Sequence, residues 1–368
     1  MTKMLYNKLG LTDVEVSAIC LGTMTWGEQN TEEEAWEQLD YFLECGGNFI
    51  DTAELYPVPP SPTTCGRTEE YIGRWMAARG SRDKVFLATK VMGGGGDTRN
   101  FIPANRTVPI DPDAPNGRLE RDQIFAAIAG SLRRLQTTYI DLYQLHWPDR
   151  YAPAWGKNQF SNTAAAGHVP VSFEEQVQAI GDLIKAGKVR HWGVSNETPY
   201  GVVMMTETAK KLGVPLPVTI QNDFSLLDRR FEGHLAEACY HSGSVGLLVY
   251  GGLAGGTLSN KFHDGSIPSA NSRHVKFPKF QPRYHCDRAL EAAAKYYKLA
   301  QSKNLSLQQL AYAWCKSRFY VCSTIIGSTT ISQLKENIAA FTDIELDEET
   351  LAAIDSIHME RRNPNVTD

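Results

Sequence analysis

Four side chains in the sequence could together move a proton: Asp51, Tyr56, Lys90 and His146. Three of them close short apolar runs. Asp51 follows Asn48-Phe49-Ile50, Lys90 follows Phe86-Leu87-Ala88-Thr89, and His146 follows Leu142-Tyr143-Gln144-Leu145. A strand alternates its side chains between two faces, so Lys90 shares a face with Ala88 and Phe86, and His146 with Gln144 and Leu142. If those faces look into one interior, the three polar groups converge at one end of it. Tyr56 lies five residues past Asp51, in the loop that begins there, and could fold back over the same point.

A lysine closing an apolar strand is costly to desolvate without an opposing charge, and Asp51 would supply one. A free tyrosine titrates near pH ~10, too high to donate a proton readily at neutral pH. An adjacent ammonium favours the tyrosinate, so Lys90 is expected to lower that value and make Tyr56 a general acid. A neutral His146 could hydrogen-bond the same substrate oxygen and aim it. Such a group suits delivery of a proton to a carbonyl oxygen while a hydride arrives at the carbon. Each residue alone also has a plainer role: a rim salt bridge, a satisfied core histidine, a turn aromatic. Convergence is what favours chemistry, and convergence requires a particular fold.

The elements that would bring them together are short apolar runs alternating with amphipathic stretches. The runs span 18–22, 48–51, 85–90, 140–146, 190–195, 218–222, 245–250 and 323–327. Between them, Ile124, Ile128, Leu132 and Leu135 recur at helical spacing, as do Phe173, Val177, Ile180 and Ile184. Gly80, Gly187 and Gly213 read as helix ends, and Ser172 with Glu175 as a capping box. Eight β-then-α units predict an α/β fold, a (β/α)8 TIM barrel in a single domain over 1–368, preceded by a hairpin over 6–16. The competitor is an open doubly wound sheet. Against it, no G-x-G-x-x-G follows any strand, and the glycine runs at 93–96 and 251–256 have the wrong spacing.

Residues 93–118 and 151–171 are rich in Gly, Pro, Asn and Asp and follow the third and fourth strands. In a barrel they are loops over the C-terminal rim, where sites form, and loops of that length commonly cover a site. A third irregular stretch, 262–284, follows the seventh strand and carries Arg273, Lys276, Lys279 and Arg283.

Bulk properties narrow the function classes. The 368 residues are 42% hydrophobic and 21% charged, with a net charge of −5 and both signs interspersed. No basic block suggests nucleic acid or a membrane surface as partner. The seven cysteines are scattered with no C-x-x-C pair, which suits reduced thiols in a cytoplasmic compartment. Residues 1–16 hold no apolar signal core, and no apolar run is long enough to cross a bilayer. The sequon Asn105-Arg106-Thr107 is read as inert. The nine histidines form no H-x-H or H-E-x-x-H pattern, and His285-Cys286-Asp287 is too local for a cage, so no metal is expected.

At the four candidate residues the sequence resembles the aldo-keto reductase superfamily. The motifs are Leu21-Gly22-Thr23-Met24, Asp51-Thr52-Ala53-Glu54-Leu55-Tyr56, Ala88-Thr89-Lys90-Val91, Leu145-His146-Trp147-Pro148, Gly193-Val194-Ser195-Asn196 and Ile326-Gly327-Ser328-Thr329. They run in family order from about Leu5 to Ile357. Within the family the chain is similar to the bacterial Tas-like reductases. These share Met24-Thr25-Trp26-Gly27-Glu28-Gln29-Asn30, Tyr56-Pro57-Val58-Pro59-Pro60 and long loops after the third and fourth strands.

The resemblance implies NADPH-dependent reduction of a small-molecule carbonyl. Tyr56 would be the acid, Lys90 and Asp51 its tuning partners, and His146 the orienting donor. It implies NADP(H) extended across the rim, with Gly22, Thr23, Met24 and Asp51 among its contacts. Ser195, Asn196 and Gln221 would hold the nicotinamide amide, and Tyr250 would stack on the ring. The backbone of Gly251, Gly252, Leu253 and Gly255 would approach the pyrophosphate, with Lys261 and Arg273 near the phosphates. Gly327, Thr329, Gln333, Glu336 and Asn337 match the adenosine end, where a helix N-terminus attracts an anion. That feature and Arg273 favour NADP(H) over NAD(H). Many relatives have Ser-Pro after the stacking aromatic, whereas Gly251-Gly252 stand here. The substrate pocket would be walled by Trp26, Tyr56, Trp147 and the two long loops, with Phe160 contributing. The same resemblance carries an alternative, a cofactor-sensing regulatory subunit like the potassium-channel β subunits. A metal-dependent barrel hydrolase is the reading from a third class.

Overall fold

In a computed structural model the described residues are 4–94, 100–263, 272–342 and 344–368. An antiparallel hairpin of β1 (Tyr6–Lys8) and β2 (Glu15–Ser17) comes first. Eight parallel strands follow: β3 (Ile19–Gly22), β4 (Phe49–Asp51), β5 (Phe86–Val91), β6 (Ile140–Leu145), β7 (Val189–Ser195), β8 (Thr219–Asp223), β9 (Gly246–Tyr250) and β10 (Val321–Ile326). They pair in chain order, and β10 returns to β3, closing a (β/α)8 barrel. Every expected apolar run is one of these strands, with ends shifted by a residue or two. His146 falls one place beyond β6, although its N–H still donates to the Val91 carbonyl at 2.8 Å.

The period-two alternation resolves into two apolar layers. Cys20, Phe49, Phe86, Ala88, Leu142, Leu248 and Cys322 fill the barrel interior. Leu9 and Val16 of the hairpin, both fully buried, pack into the same cluster and stopper the N-terminal end. The other strand faces pack against helices whose apolar stripes include Leu39, Ile72, Ile124, Ile128, Val177 and Ile180. Helices Arg67–Arg79 and Arg121–Arg134 approach closely at Gly73, where a Cβ would lie 2.2 Å from the Arg134 carbonyl oxygen.

The helix ends match expectation in part. Gly80 and Gly213 are left-handed C-caps, and Gly187 takes a positive φ just past the cap at Ala186. At helix Phe173–Lys185, Ser172 accepts from the Glu175 N–H, but the reciprocal half of the expected box is not made. The Glu175 carboxylate instead accepts from the Arg121 N–H at 2.9 Å. That N–H opens a neighbouring helix whose own N-cap residue, Glu120, makes no side-chain capping bond, so an orphan donor elsewhere takes the carboxylate.

The two long loops lie over the C-terminal rim and hold short helices, Phe101–Ala104 and Asn162–Ala166. Parts of the expected loops, 95–99 and 264–271, lie outside the described residues. After helix Glu348–Glu360 the chain crosses to the loop at 151–171. Fully buried Asn365 donates to Asp228 at 2.9 Å, the Thr367 N–H donates to the Gly156 carbonyl at 2.9 Å, and the Asp368 carboxylate accepts the Asn158 and Gln159 N–H groups at 2.7 and 3.1 Å.

Because Leu9 stoppers a closed interior, Leu9→Ala is expected to lose about 2–5 kcal/mol of stability. The check is urea or thermal denaturation. An unchanged unfolding midpoint would show that the hairpin is not an integral part of the core.

Candidate active site

Strand direction carries Asp51, Lys90 and His146 to the same end of the barrel. Lys90 follows Phe86 and Ala88 on the inward face of β5, and like them it is buried, with no exposed surface. A fully buried ammonium needs several acceptors. Its Nζ donates to Asp51 Oδ2 at 2.6 Å, to the Thr52 carbonyl at 2.8 Å, and to the Tyr56 phenol oxygen at 3.4 Å. The second Asp51 oxygen accepts from Gln221 at 2.8 Å and Gln144 at 3.2 Å. The loop after β4 is fixed by backbone bonds, Thr52 N–H to the Ala88 carbonyl and Glu54 N–H to the Lys90 carbonyl. The Tyr56 and His146 rings meet edge-on with centroids 6.0 Å apart, and Trp147 packs on His146 at 4.8 Å.

Electrostatics here differ from the sequence reading in one respect. Tyr56 titrates above its ordinary value, not below it. Burial raises it most, Lys90 opposes that, and Asp51 raises it again. Burial thus outweighs the ammonium, which lies 2.6 Å from a carboxylate and 3.4 Å from the phenol, so that Asp51 offsets part of its field. Burial alone would depress Lys90, but Asp51 and then Tyr56 reverse that and hold it above the usual lysine value.

The rim opens into an elongated cavity of about 780 Å³. Every cofactor candidate lines it: Gly22, Thr23, Met24 and Asp51; Ser195, Asn196 and Gln221; Tyr250, Gly251, Gly252, Leu253 and Gly255; Lys261 and Arg273; and Gly327, Thr329, Gln333, Glu336 and Asn337. Ser195 and Asn196 are cross-braced, Ser195 donating to the Gln221 carbonyl at 2.7 Å and Asn196 to the His146 carbonyl at 2.9 Å. Tyr250 donates to the Asn196 side-chain oxygen at 2.6 Å. The Gln221 amide nitrogen is directed at Asp51, a role the sequence did not suggest. Arg273 has no carboxylate partner among the described residues, its buried Nε lacks an acceptor, and burial holds its guanidinium below the usual arginine value.

The first glycine after Tyr250 has a local cause. Gly251 sits at φ +73°, and a Cβ there would lie 2.5 Å from Asp223 Oδ1 and 2.7 Å from the Tyr284 hydroxyl. Serine does not fit that backbone, whereas a Cβ at Gly252 would meet nothing closer than 3.5 Å. Asp223 in turn accepts from Tyr284 at 2.7 Å and pairs with Arg283 at 3.1 Å.

The substrate end corrects two expectations. Trp26 is fully buried in the outer core and does not reach the cavity, since a ring that large gains more from burial than from the rim. Phe160 is exposed and packs on Tyr151 instead. Tyr56 and Trp147 do line the cavity, joined by Leu55, Val58, Trp155 and Phe280. Trp155 meets Trp147 edge-on at 6.2 Å. Gln144 was the legible omission, as the other polar residue on the His146 face of β6. Trp155 carried no signal beyond being an aromatic in a long loop.

A closed parallel barrel with a buried lysine–carboxylate pair, a phenol and an elongated cavity at its C-terminal rim defines a (β/α)8-barrel enzyme. A model of the Aldo/keto reductase family matches residues 18–359, and the chain belongs to that family of oxidoreductases. It is 43% identical over 355 residues to protein tas of Escherichia coli K12, covering 96% of this chain and 98% of tas. It is 33% identical over 356 residues to the uncharacterized oxidoreductase YrpG of Bacillus subtilis, covering 96% and 95%. A probable voltage-gated potassium channel subunit beta of Oryza sativa is 29% identical over 348 residues, covering 93% of each chain. No described helix is long and apolar enough to cross a membrane.

A raised value means the neutral phenol is favoured. In the free protein, Tyr56 is therefore expected to stay protonated through neutral pH and past its ordinary midpoint near 10. Carbon-13 NMR of labelled tyrosine, with Tyr56→Phe assigning the resonance, reads this directly. Ionisation in the neutral range would contradict it.

Proposed function

We propose that this oxidoreductase is a cytoplasmic, single-domain barrel enzyme that reduces aldehydes or ketones to alcohols with NADPH. The observation that carries the reading is the Lys90 ammonium, enclosed between the Asp51 carboxylate and the Tyr56 phenol at the wall of the cavity. NADPH, when bound, supplies the hydride. Tyr56, kept neutral by burial, donates its proton to the carbonyl oxygen. As it does so, Lys90 faces the phenolate that forms, and Asp51, Gln144 and Gln221 keep the ammonium in place. His146 serves as the second donor that orients the carbonyl.

The residues present fit a dinucleotide. Arg273, a half-buried cation with no carboxylate partner among the described residues, suits a phosphate, and the cavity continues from it to the N-terminal end of helix Ile331–Thr342. Tyr250 offers a ring face, and Ser195 and Asn196 lie near enough to hold a carboxamide. Leu55, Val58, Trp147, Trp155 and Phe280 give the substrate end an apolar, aromatic wall suited to ring-bearing carbonyls. The rice relative supports a second reading, a regulatory subunit that senses the cofactor, in which NADPH binds with negligible turnover.

Two measurements test the proposal. Tyr56→Phe is expected to lose about 10²–10⁴-fold in NADPH consumption with generic aldehydes. Equal turnover by both proteins would remove Tyr56 from its role, and none by the wild type would favour the regulatory reading. Arg273→Met is expected to weaken NADPH binding by roughly ten- to a hundredfold, and NADH binding by less. Calorimetric titration with both nucleotides checks this, and equal losses would detach Arg273 from the NADP(H) preference.

A further inference from the structure

Another buried ion pair adjoins the loop that carries Tyr56, and neither of its residues lines the cavity. Arg106 comes from the long loop after β5, yet its side chain is only 3% exposed. Its guanidinium grips the Glu54 carboxylate at two points, Nε to Oε2 at 2.9 Å and Nη2 to Oε1 at 2.8 Å. Glu54 is two residues before Tyr56, and its side chain is 1% exposed. The same carboxylate accepts the Met92 N–H at 2.9 Å, two residues beyond Lys90, while the Glu54 N–H donates to the Lys90 carbonyl at 3.2 Å. Glu54 thus joins the loop that carries the phenol to the strand that carries the ammonium.

Arg106 is itself fixed to the scaffold. Its Nη1 donates to Gln123 at 3.3 Å, and its carbonyl accepts from Arg133 at 2.7 Å. At Gly130 of helix Arg121–Arg134, an added Cβ would lie 3.1 Å from the Arg106 Cα, so the helix backs the loop directly. A buried ion pair is weak evidence for stability, because apolar residues of the same volume commonly serve as well. What a two-point guanidinium–carboxylate contact adds is direction. Here the direction fixes a loop whose phenol sits at 3.4 Å from Lys90, and displacements near 1 Å in such geometry cost on the order of 10²-fold in rate.

We propose that Glu54 and Arg106 are a positioning pair that holds the Tyr56 phenol at its distance from Lys90, making proton donation depend on a residue of the loop after β5. The inference rests on the reading of Tyr56 as proton donor.

The test is Glu54→Gln with Arg106→Gln, which removes both charges together and leaves neither buried alone. Expected are wild-type NADPH affinity and carbonyl KM, a kcat lower by roughly ten- to a hundredfold, and a Tyr56 ionisation moved upward as the phenol leaves the ammonium. Adding the double change to Tyr56→Phe is expected to cost no further rate, because interacting residues are not additive. Arg106→Lys keeps the charge but loses the planar fork, so it is expected to show a smaller loss of the same kind. Wild-type kcat with an unmoved Tyr56 resonance, in the double variant or in Arg106→Lys, overturns the proposal even if thermal stability drops. So does a loss of equal size in the Tyr56→Phe background. If Tyr56→Phe alone turns over like the wild type, the proton-donor reading itself has failed, and the pair's role falls with it.

Discussion

A lysine with no exposed surface stands near the end of a mostly apolar strand, and much of the rim is arranged around keeping it charged. Removing an ammonium from water is unfavourable by several kcal/mol in real proteins unless partners replace the lost hydration. Asp51 supplies the opposing charge at 2.6 Å, and the Thr52 carbonyl supplies a second acceptor. The carboxylate then needs its own donors, which explains two buried glutamines on the inward faces of β6 and β8. One charge therefore dictates residue types on four strands, β4, β5, β6 and β8. The layer beneath is mostly apolar, from Phe49 and Phe86 to Leu248, with buried Thr219 below Gln221 on β8.

The same constraint explains which parts of the architecture were readable from residue order. Barrel strands are short and buried on both faces, so they stand out as apolar runs between turn signals. Asp51, Lys90 and His146 were legible because a polar residue at the end of such a run has no other reason to be there. Trp26 was misplaced because residue type alone does not say whether an aromatic near the rim turns into the core or over the mouth. The direction of the Tyr56 shift was misjudged because residue order shows the neighbouring charges but not how deeply the phenol is buried. Arg106 and Glu54 lie 52 positions apart, and no local pattern links an arginine in a glycine- and proline-rich loop to a carboxylate two residues from a tyrosine.

Beside β8 and β9 the balance of charge is different. Burial pushes the Asp223 carboxyl up to about 6, Arg283 pulls it down, and Asp228 pushes it up again. This carboxyl crowds Gly251 and so fixes the backbone just past Tyr250. Glycine at 251 is thereby a packing requirement of neighbouring side chains. It joins the wall of the cavity to the segment that bears Arg283 and Tyr284.

The route of the last described residues has a practical side. Thr367 and Asp368 bond to the stretch 156–159, next to Trp155, which forms part of the cavity's aromatic wall. A purification handle grafted onto Asp368 would emerge beside that wall and disturb the anchoring carboxylate's neighbours. One grafted ahead of the hairpin would emerge at the stoppered end of the barrel, on the side away from the reacting groups.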